Sequence, residues 1–191
     1  MNTHVVAIPG SLREVSYTRL ASRRVLDAAE SRGATTDLID LRSLDLPVYD
    51  GDAGGAGDAD ELARRVREAD AVLLATPVYH GSYSAPLKNA LDYCGFDEFE
   101  HTTVGLLAVA GGSFPTTALE HLRSVCRSLN AWVLPHQAAL PNVSSRFEGG
   151  ELVDETMAER VDTLGVRLVQ YGKIEPDPMT VEACENVGAD D

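Results

Sequence analysis

The run Pro9-Gly10-Ser11-Leu12-Arg13-Glu14-Val15-Ser16-Tyr17-Thr18 sets several hydroxyls and one guanidinium where a strand passes into a helix. Free backbone N–H groups at a helix start, near Ser16, Tyr17 and Thr18, point at whatever lies there, and the helix dipole favours negative charge. Ser11, Ser16 and Thr18 can donate hydrogen bonds and Arg13 supplies a cation, so the run reads as a phosphate site. The other reading of Ser16 is a plain helix cap, because serine favours that position. Two other phosphate loops are excluded by what is missing. Gly10 is followed by no glycine-lysine pair in the register of an ATP-hydrolysing loop, and no G-x-G-x-x-G occurs here. Asp40 falls where dinucleotide-binding proteins place a ribose-binding acid, but it is expected to be merely solvated.

A second chemical turn runs from Thr76-Pro77-Val78-Tyr79-His80-Gly81-Ser82 into Leu87-Lys88-Asn89. Pro77 fixes the exit of the chain, Gly81 lets the backbone approach a flat ligand, and Tyr79 offers an aromatic plane or, on the other reading, core packing. The spacing Gly81-Ser82-Tyr83-Ser84-Ala85 lacks the second glycine of a nucleophile elbow, which disfavours a hydrolase. A third turn holds Gly111 and Gly112, whose N–H groups could reach the polar edge of a ring; alone, the pair reads equally well as a simple turn. Cys94, Cys126 and Cys184 are far apart, and the five histidines (His4, His80, His101, His121, His136) are scattered, so neither a disulfide framework nor a metal site is indicated.

These turns need a scaffold, and the hydropathy pattern supplies one. Apolar strands at His4–Ile8, Thr36–Leu41, Ala71–Thr76, Thr103–Ala110 and Trp132–Leu134 alternate with helices at about Tyr17–Arg32, Asp58–Ala69, Ala85–Tyr93, Thr116–Asn130 and Glu155–Tyr171. Five strands and five helices in alternation imply an α/β class: a doubly wound parallel sheet between two helical layers. Ligands of such sheets sit outside the carboxyl ends of the strands, which is where the three turns lie. The segment from Arg42 to Gly57, which contains the glycine-rich run 51–57, is expected to be a mobile surface loop. Residues 1–172 form one domain on this reading, and 173–191 an acidic tail.

With 44% hydrophobic and 24% charged residues, the 191-residue chain can bury a core. Its net charge is −14, from 16 basic and 30 acidic residues, which repels nucleic acid and anionic membrane surfaces. No apolar run approaches the ~20 residues of a membrane helix, and Met1 to Gly10 lack signal-peptide order, so a cytoplasmic protein is expected. Only Lys88 and Lys173 are lysines. That imbalance, with acids along the whole chain, suggests adaptation to high salt.

Taken together, Gly10-Ser11-x-Arg13-x-x-Ser16-x-x-x-Leu20, Thr76-Pro77-x-Tyr79-x-Gly81-Ser82, Leu87-Lys88-Asn89-x-Leu91-Asp92 and Gly111-Gly112 resemble the NADPH-dependent FMN reductase family. The resemblance covers roughly Val5 to Leu140. It implies a flavodoxin-like sheet of order 2-1-3-4-5, bound FMN, hydride transfer from NADPH or NADH, and a small-molecule electron acceptor such as a flavin or quinone. It also implies a homodimer or homotetramer. Carried over by position, Ser11, Arg13, Ser16, Tyr17 and Thr18 would hold the FMN phosphate. Pro77, Val78, Tyr79, His80 and Gly81 would flank the ring, and Gly111 and Gly112 would bond its pyrimidine edge. No side chain is assigned as a catalytic acid or base. The competing readings are a flavodoxin-type electron carrier, against which the style of the first loop speaks, and a flavin-free regulatory module, which would leave that loop's hydroxyls without a use.

Overall fold

The strand β1 (His4–Pro9) is buried along nearly its whole length, as a strand covered on both faces must be. In the computed structural model, which describes residues 2–53 and 56–172, it is followed by α1 (Tyr17–Glu30), β2 (Thr35–Leu38), α2 (Ala59–Arg67) and β3 (Ala71–Pro77). Next come α3 (Ala85–Asp92), a one-turn α4 (Phe96–Phe99), β4 (Thr103–Val109), α5 (Thr116–Ser128), β5 (Trp132–Val133) and β6 (Ala138–Leu140). A small antiparallel pair, β7 (Phe147–Glu148) with β8 (Glu151–Leu152), precedes α6 (Glu155–Tyr171).

The main sheet is parallel, in the expected order β2-β1-β3-β4-β5. Side-chain alternation along the strands divides the core into two layers. Val5, Ala7, Leu73, Leu107 and Val109 face α1 and α6, where they meet Val25, Val161, Leu164 and Leu168. Val6, Ile8, Leu74, Leu106 and Ala108 face the other way, onto Leu62 and Val66 of α2, Leu87 and Leu91 of α3, and Leu119 and Leu122 of α5. The exterior of α1 is tied to α6 by a two-pronged Arg24–Asp162 pair, both bonds 2.7 Å.

Several expectations need correction. The second strand ends at Leu38 rather than Leu41. Ile39 still donates to the Ala7 carbonyl at 2.9 Å, but the chain then turns on Asp40, whose carbonyl accepts from Ser43 N at 2.9 Å. Ile39 and Leu41 stay buried without being ladder residues, which is why their hydrophobicity reads as strand. The fifth strand is split: β5 pairs Thr103–Val104 and β6 pairs Leu107–Val109 of the same β4. Pro135 lies in the gap, where a residue without an N–H cannot continue the ladder. The expected mobile loop is anchored at Pro47–Tyr49. Tyr49 N donates to Asn89 Oδ1 at 2.8 Å, while Asn89 Nδ2 and the Tyr93 hydroxyl both donate to the Pro47 carbonyl, at 2.8 and 3.0 Å. Gly54, Gly55, Cys184 and the acidic tail 173–191 lie outside the described residues. Burial pushes the Cys94 and Cys126 thiols up to about 12, which makes both inert packing residues. Among the described residues, no helix is long and apolar enough to cross a membrane.

Candidate functional site

The three chemical turns do converge at the carboxyl ends of β1, β3 and β4, and hydrogen bonds lock them to one another. Gly10 N donates to the Ala75 carbonyl at 2.8 Å, carrying the β1–β3 ladder one residue past the strand. The Ser84 hydroxyl donates to the Gly10 carbonyl at 2.6 Å, and Ser84 N donates to Thr76 Oγ1 at 2.9 Å. Thr76 Oγ1 in turn donates to the Pro77 carbonyl at 2.8 Å. A Cβ on Gly10 would stand 2.5 Å from Ser84 Oγ and 2.6 Å from Leu87 Cβ, so only glycine lets β1 approach the start of α3 this closely.

The first loop is shaped to present N–H groups. Ser16 caps α1: its Oγ accepts from Arg19 N at 3.2 Å, so the cap reading is correct, and the hydroxyl proton is left free to donate. Ser11 Oγ accepts from Arg13 N at 3.4 Å. Arg19 donates to the Arg13 carbonyl at 3.2 Å and to the Glu14 carbonyl. Because the peptide is trans and planar, tying those carbonyls to Arg19 turns the Glu14 and Val15 N–H groups to the opposite side. Among the described residues, the N–H groups of Ser11, Leu12, Glu14, Val15 and Ser16 reach no protein acceptor, and the Arg13 guanidinium has no acidic partner. Thr18 is buried at the helix start. The Tyr17 ring packs on Phe147 with centroids 4.9 Å apart, so this position offers the cleft its backbone rather than its hydroxyl.

Asp40 is not simply solvated. Arg42 binds it at 2.6 Å and Arg19 lies 3.9 Å away. The hydrogen bond from Arg42 holds the Asp40 carboxyl below the usual carboxylate range. Arg19 thus spans from the end of β2 to the first loop.

The second loop leaves β3 at Pro77, the strand's last residue, and Val78 N extends the ladder to the Val109 carbonyl at 2.9 Å. Tyr79 and Ser82 then exchange both backbone bonds, each 3.1 Å, around His80 (φ +50°) and Gly81 (φ +79°). This is a tight two-residue turn that requires positive φ at both central positions, and histidine is among the side chains that accept it. The role of Gly81 is therefore conformational. Tyr79 is 50% exposed, which removes the core-packing reading. Gly111 and Gly112, after β4, are exposed with open space around them, and among the described residues their N–H groups are unclaimed. The segment after β6 holds them from behind: Asn142 N donates to the Gly112 carbonyl at 3.0 Å and Val143 N to the Ala110 carbonyl at 3.1 Å.

The sequence reading missed Arg19, Ser84, Thr117, His121 and Asn142, all of which hold the turns rather than face a ligand. Ser84 carried a misleading signal, since a serine before Ala85-Pro86 reads as the cap of α3, yet it makes no cap bond. Beside the first loop runs a groove of about 940 Å³ lined by Leu12, Leu41, Leu46, Val48, Tyr83 and Pro86. The arrangement suits a ligand with an anionic end at Ser11–Thr18 and a flat end with a polar edge between Tyr79–Gly81 and Gly111–Gly112.

Comparison with known proteins identifies the family and the fold. Residues 3–145 match the model of the family described as NADPH-dependent FMN reductase. The chain is 36% identical over 140 residues to the FMN-dependent NADPH-azoreductase of Staphylococcus saprophyticus, covering 69% of this chain and 73% of that one. It is 34% identical over 154 residues to the NADPH azoreductase of Bacillus sp. strain OY1-2, covering 79% and 83%. Among solved structures, the flavoenzyme NAD(P)H:(acceptor) oxidoreductase of Paracoccus denitrificans superposes with a TM-score of 0.76 at 22% identity, covering 89% of this chain and 97% of that one. That likeness fixes the fold as flavodoxin-like.

Proposed function

The chain belongs to the NADPH-dependent FMN reductase family, and on that premise we propose that it holds FMN across the three converging turns and reduces a small acceptor at the expense of NADPH, or NADH. In this reading Ser11, Arg13, Ser16, Tyr17 and Thr18 bind the phosphate, through hydroxyls, guanidinium and helix-start N–H groups. Pro77, Val78, Tyr79, His80 and Gly81 flank the ring, and Gly111 and Gly112 donate to its pyrimidine edge. The observation that carries it is the set of donors unclaimed among the described residues: Arg13 without an acidic partner and a row of free N–H groups, in a protein of net charge −14. Such a cluster is built for an anion, because the remaining field of the protein repels one.

When bound, FMN supplies the hydride and electron chemistry, and the protein supplies position and electrostatics. The Gly111 and Gly112 N–H groups stabilise negative charge at the ring edge. Arg13 and the α1 N-terminus hold the phosphate as a fixed anchor. Tyr79 and the His80–Gly81 turn would lie against the ring, with the half-exposed Tyr79 as the aromatic plane beside which a second flat molecule would be received. The acceptor is then a flat small molecule such as a quinone, a flavin or an azo compound, the last being what the named relatives reduce.

The apolar groove beside Leu12, with Leu12 half exposed and Val48 87% exposed, supports a homodimer or homotetramer whose neighbouring subunit closes the cleft. The acidic composition supports a salt-rich cytoplasm and argues against nucleic-acid or membrane partners.

The test is anaerobic. The purified protein is loaded with FMN in high salt, NADPH or NADH is added, and the visible flavin absorption is followed. Rapid bleaching is expected. FMN that binds but bleaches only with a chemical reductant would point to an electron carrier, and failure to bind FMN would remove the three-turn argument.

A further inference from the structure

The Tyr79–Ser82 turn is held from outside by one face of α5. Thr117 and His121 stand four residues apart on that helix, so their side chains emerge on the same side. Thr117 Oγ1 donates to the Gly81 carbonyl at 2.7 Å, and His121 Nδ1 hydrogen-bonds with Ser82 Oγ at 2.9 Å. The imidazole also meets the Tyr83 ring edge-on, at 6.4 Å and 80°. Among the described residues, no other side chain bonds residues 79–82. The turn's own closure consists of the two Tyr79–Ser82 backbone bonds, and so short a hairpin has little stability by itself. Val78 N and Ser84 N fix where its arms leave the sheet, and beyond them the tip is held by α5.

We infer that Thr117 and His121 are positioning residues of the reductase site: they fix the height of the His80–Gly81 turn, and with it the space open to the nicotinamide. The inference rests on the FMN reading above. Neither residue faces the ring site directly. Both lie on exposed surface, so their loss should leave the core and the phosphate anchor intact. What they govern is admission of the second flat molecule, which appears in KM more than in kcat.

The test compares wild type with Thr117→Val, His121→Ala, the double variant and His121→Asn, whose amide oxygen stands near the lost Nδ1. Three quantities are read: amide hydrogen exchange at Ser82 in the protein before FMN is added, the affinity for FMN, and KM and kcat for NADPH. Each lost bond is expected to raise KM about fivefold, with kcat and FMN affinity changed less than about twofold. Exchange at Ser82 should quicken by a similar factor in the double variant, and His121→Asn should return KM to near the wild-type value. Wild-type exchange and KM in the double variant would overturn the proposal, as would His121→Asn behaving like His121→Ala. If wild-type protein binds FMN but is not reduced by a nicotinamide, the reductase reading and this inference fall together. If wild-type protein is reduced normally and the variants match it, this inference alone falls.

Discussion

The Ser84 hydroxyl donates to the Gly10 carbonyl at 2.6 Å, joining two turns that lie 74 residues apart in the chain. Ser84 is 1% exposed, so the carbonyl it serves has no water to turn to. Replacing Ser84 by Ala removes the donor and leaves that carbonyl unsatisfied, at a cost of about 1–3 kcal/mol. FMN affinity should fall as well, because the phosphate loop loses its registration against the ring-flanking loop. Urea unfolding and a flavin-fluorescence titration measure the two effects. A Ser84→Ala variant with the wild-type midpoint and affinity would show that the bond carries neither.

Two arginines should separate cleanly, Arg13 in the first loop and Arg19 on α1 behind it. Arg13 has no acidic partner among the described residues, whereas Arg19 binds the Arg13 and Glu14 carbonyls. Arg13→Ala is expected to weaken FMN binding by about 1.5–3 kcal/mol, the worth of a hydrogen bond to a charged group, and to leave unfolding unchanged. Arg19→Ala should lower both affinity and stability, since the loop then loses its support. Equal losses of stability in the two variants would contradict the assignment.

Much of this could be read from residue types, and the rest could not, for identifiable reasons. Gly10-Ser11-x-Arg13 and Tyr79-x-Gly81 carry local chemistry, so the sequence singled out the turns that the fold brings together, although Gly81 turns out to serve the turn's positive φ. The parallel sheet also followed, because strands as apolar as Val72–Ala75 tolerate no exposed face, whereas its order came only with the family resemblance. Ser84 was invisible as a bolt because its partner is 74 positions away, and local spacing suggests a helix cap instead. Ile39 and Leu41 misled because burial and strand pairing leave the same hydrophobic trace. Thr117 and His121 gave no signal, since nothing in the sequence places the exposed side of α5 against the second turn.

His80 tests whether the site needs a proton donor. It occupies positive φ (+50°), so an alanine there would strain the turn and confuse the result. Asparagine tolerates that conformation and lacks an imidazole. His80→Asn is therefore expected to keep maximal turnover within about tenfold of wild type, since general acid–base catalysis contributes about 10²–10⁴-fold where it operates. Stopped-flow reduction of the loaded variant measures it. A thousandfold fall with FMN still bound would make His80 an acid or base.

Acid should weaken the join between β2 and α2. Arg65 Nε and Nη2 both bind the Asp37 carboxylate at 2.7 Å. This hydrogen bonding by Arg65 outweighs burial and holds the Asp37 carboxyl below its ordinary value. With the folded pKa below the unfolded one, the pair contributes stability above the unfolded value of about 4, and that contribution is lost as pH falls through the folded pKa. Asp37→Asn should cost about 0.5–1 kcal/mol at pH 7, a figure reduced by partial exposure, with the difference from wild type narrowing below about pH 4. Urea midpoints at pH 7 and pH 3 decide it. A difference that stays constant with pH would remove Asp37 from the account.

Salt should stabilise this protein although it weakens individual ion pairs. Pairs such as Arg64–Glu61 and Arg24–Asp162 lose strength on screening, which alone would lower the melting temperature. However, 16 cations can neutralise at most 16 of the 30 carboxylates, so the net charge of −14 remains as self-repulsion. Raising KCl from about 10 mM to 1 M shortens the Debye length from about 30 to 3 Å, which removes long-range repulsion while the contact pairs, already at 2.7–2.8 Å, lose least. The expected result is a Tm higher by about 5 °C or more in 1 M KCl, on the scale of 2–4 °C per kcal/mol for a chain of this length. Scanning calorimetry across a KCl series measures it, with sodium sulfate avoided because its exclusion from protein surfaces stabilises any fold. A Tm that falls with KCl would mean that the surface pairs outweigh the repulsion, and the adaptation to salt would then have no physical basis.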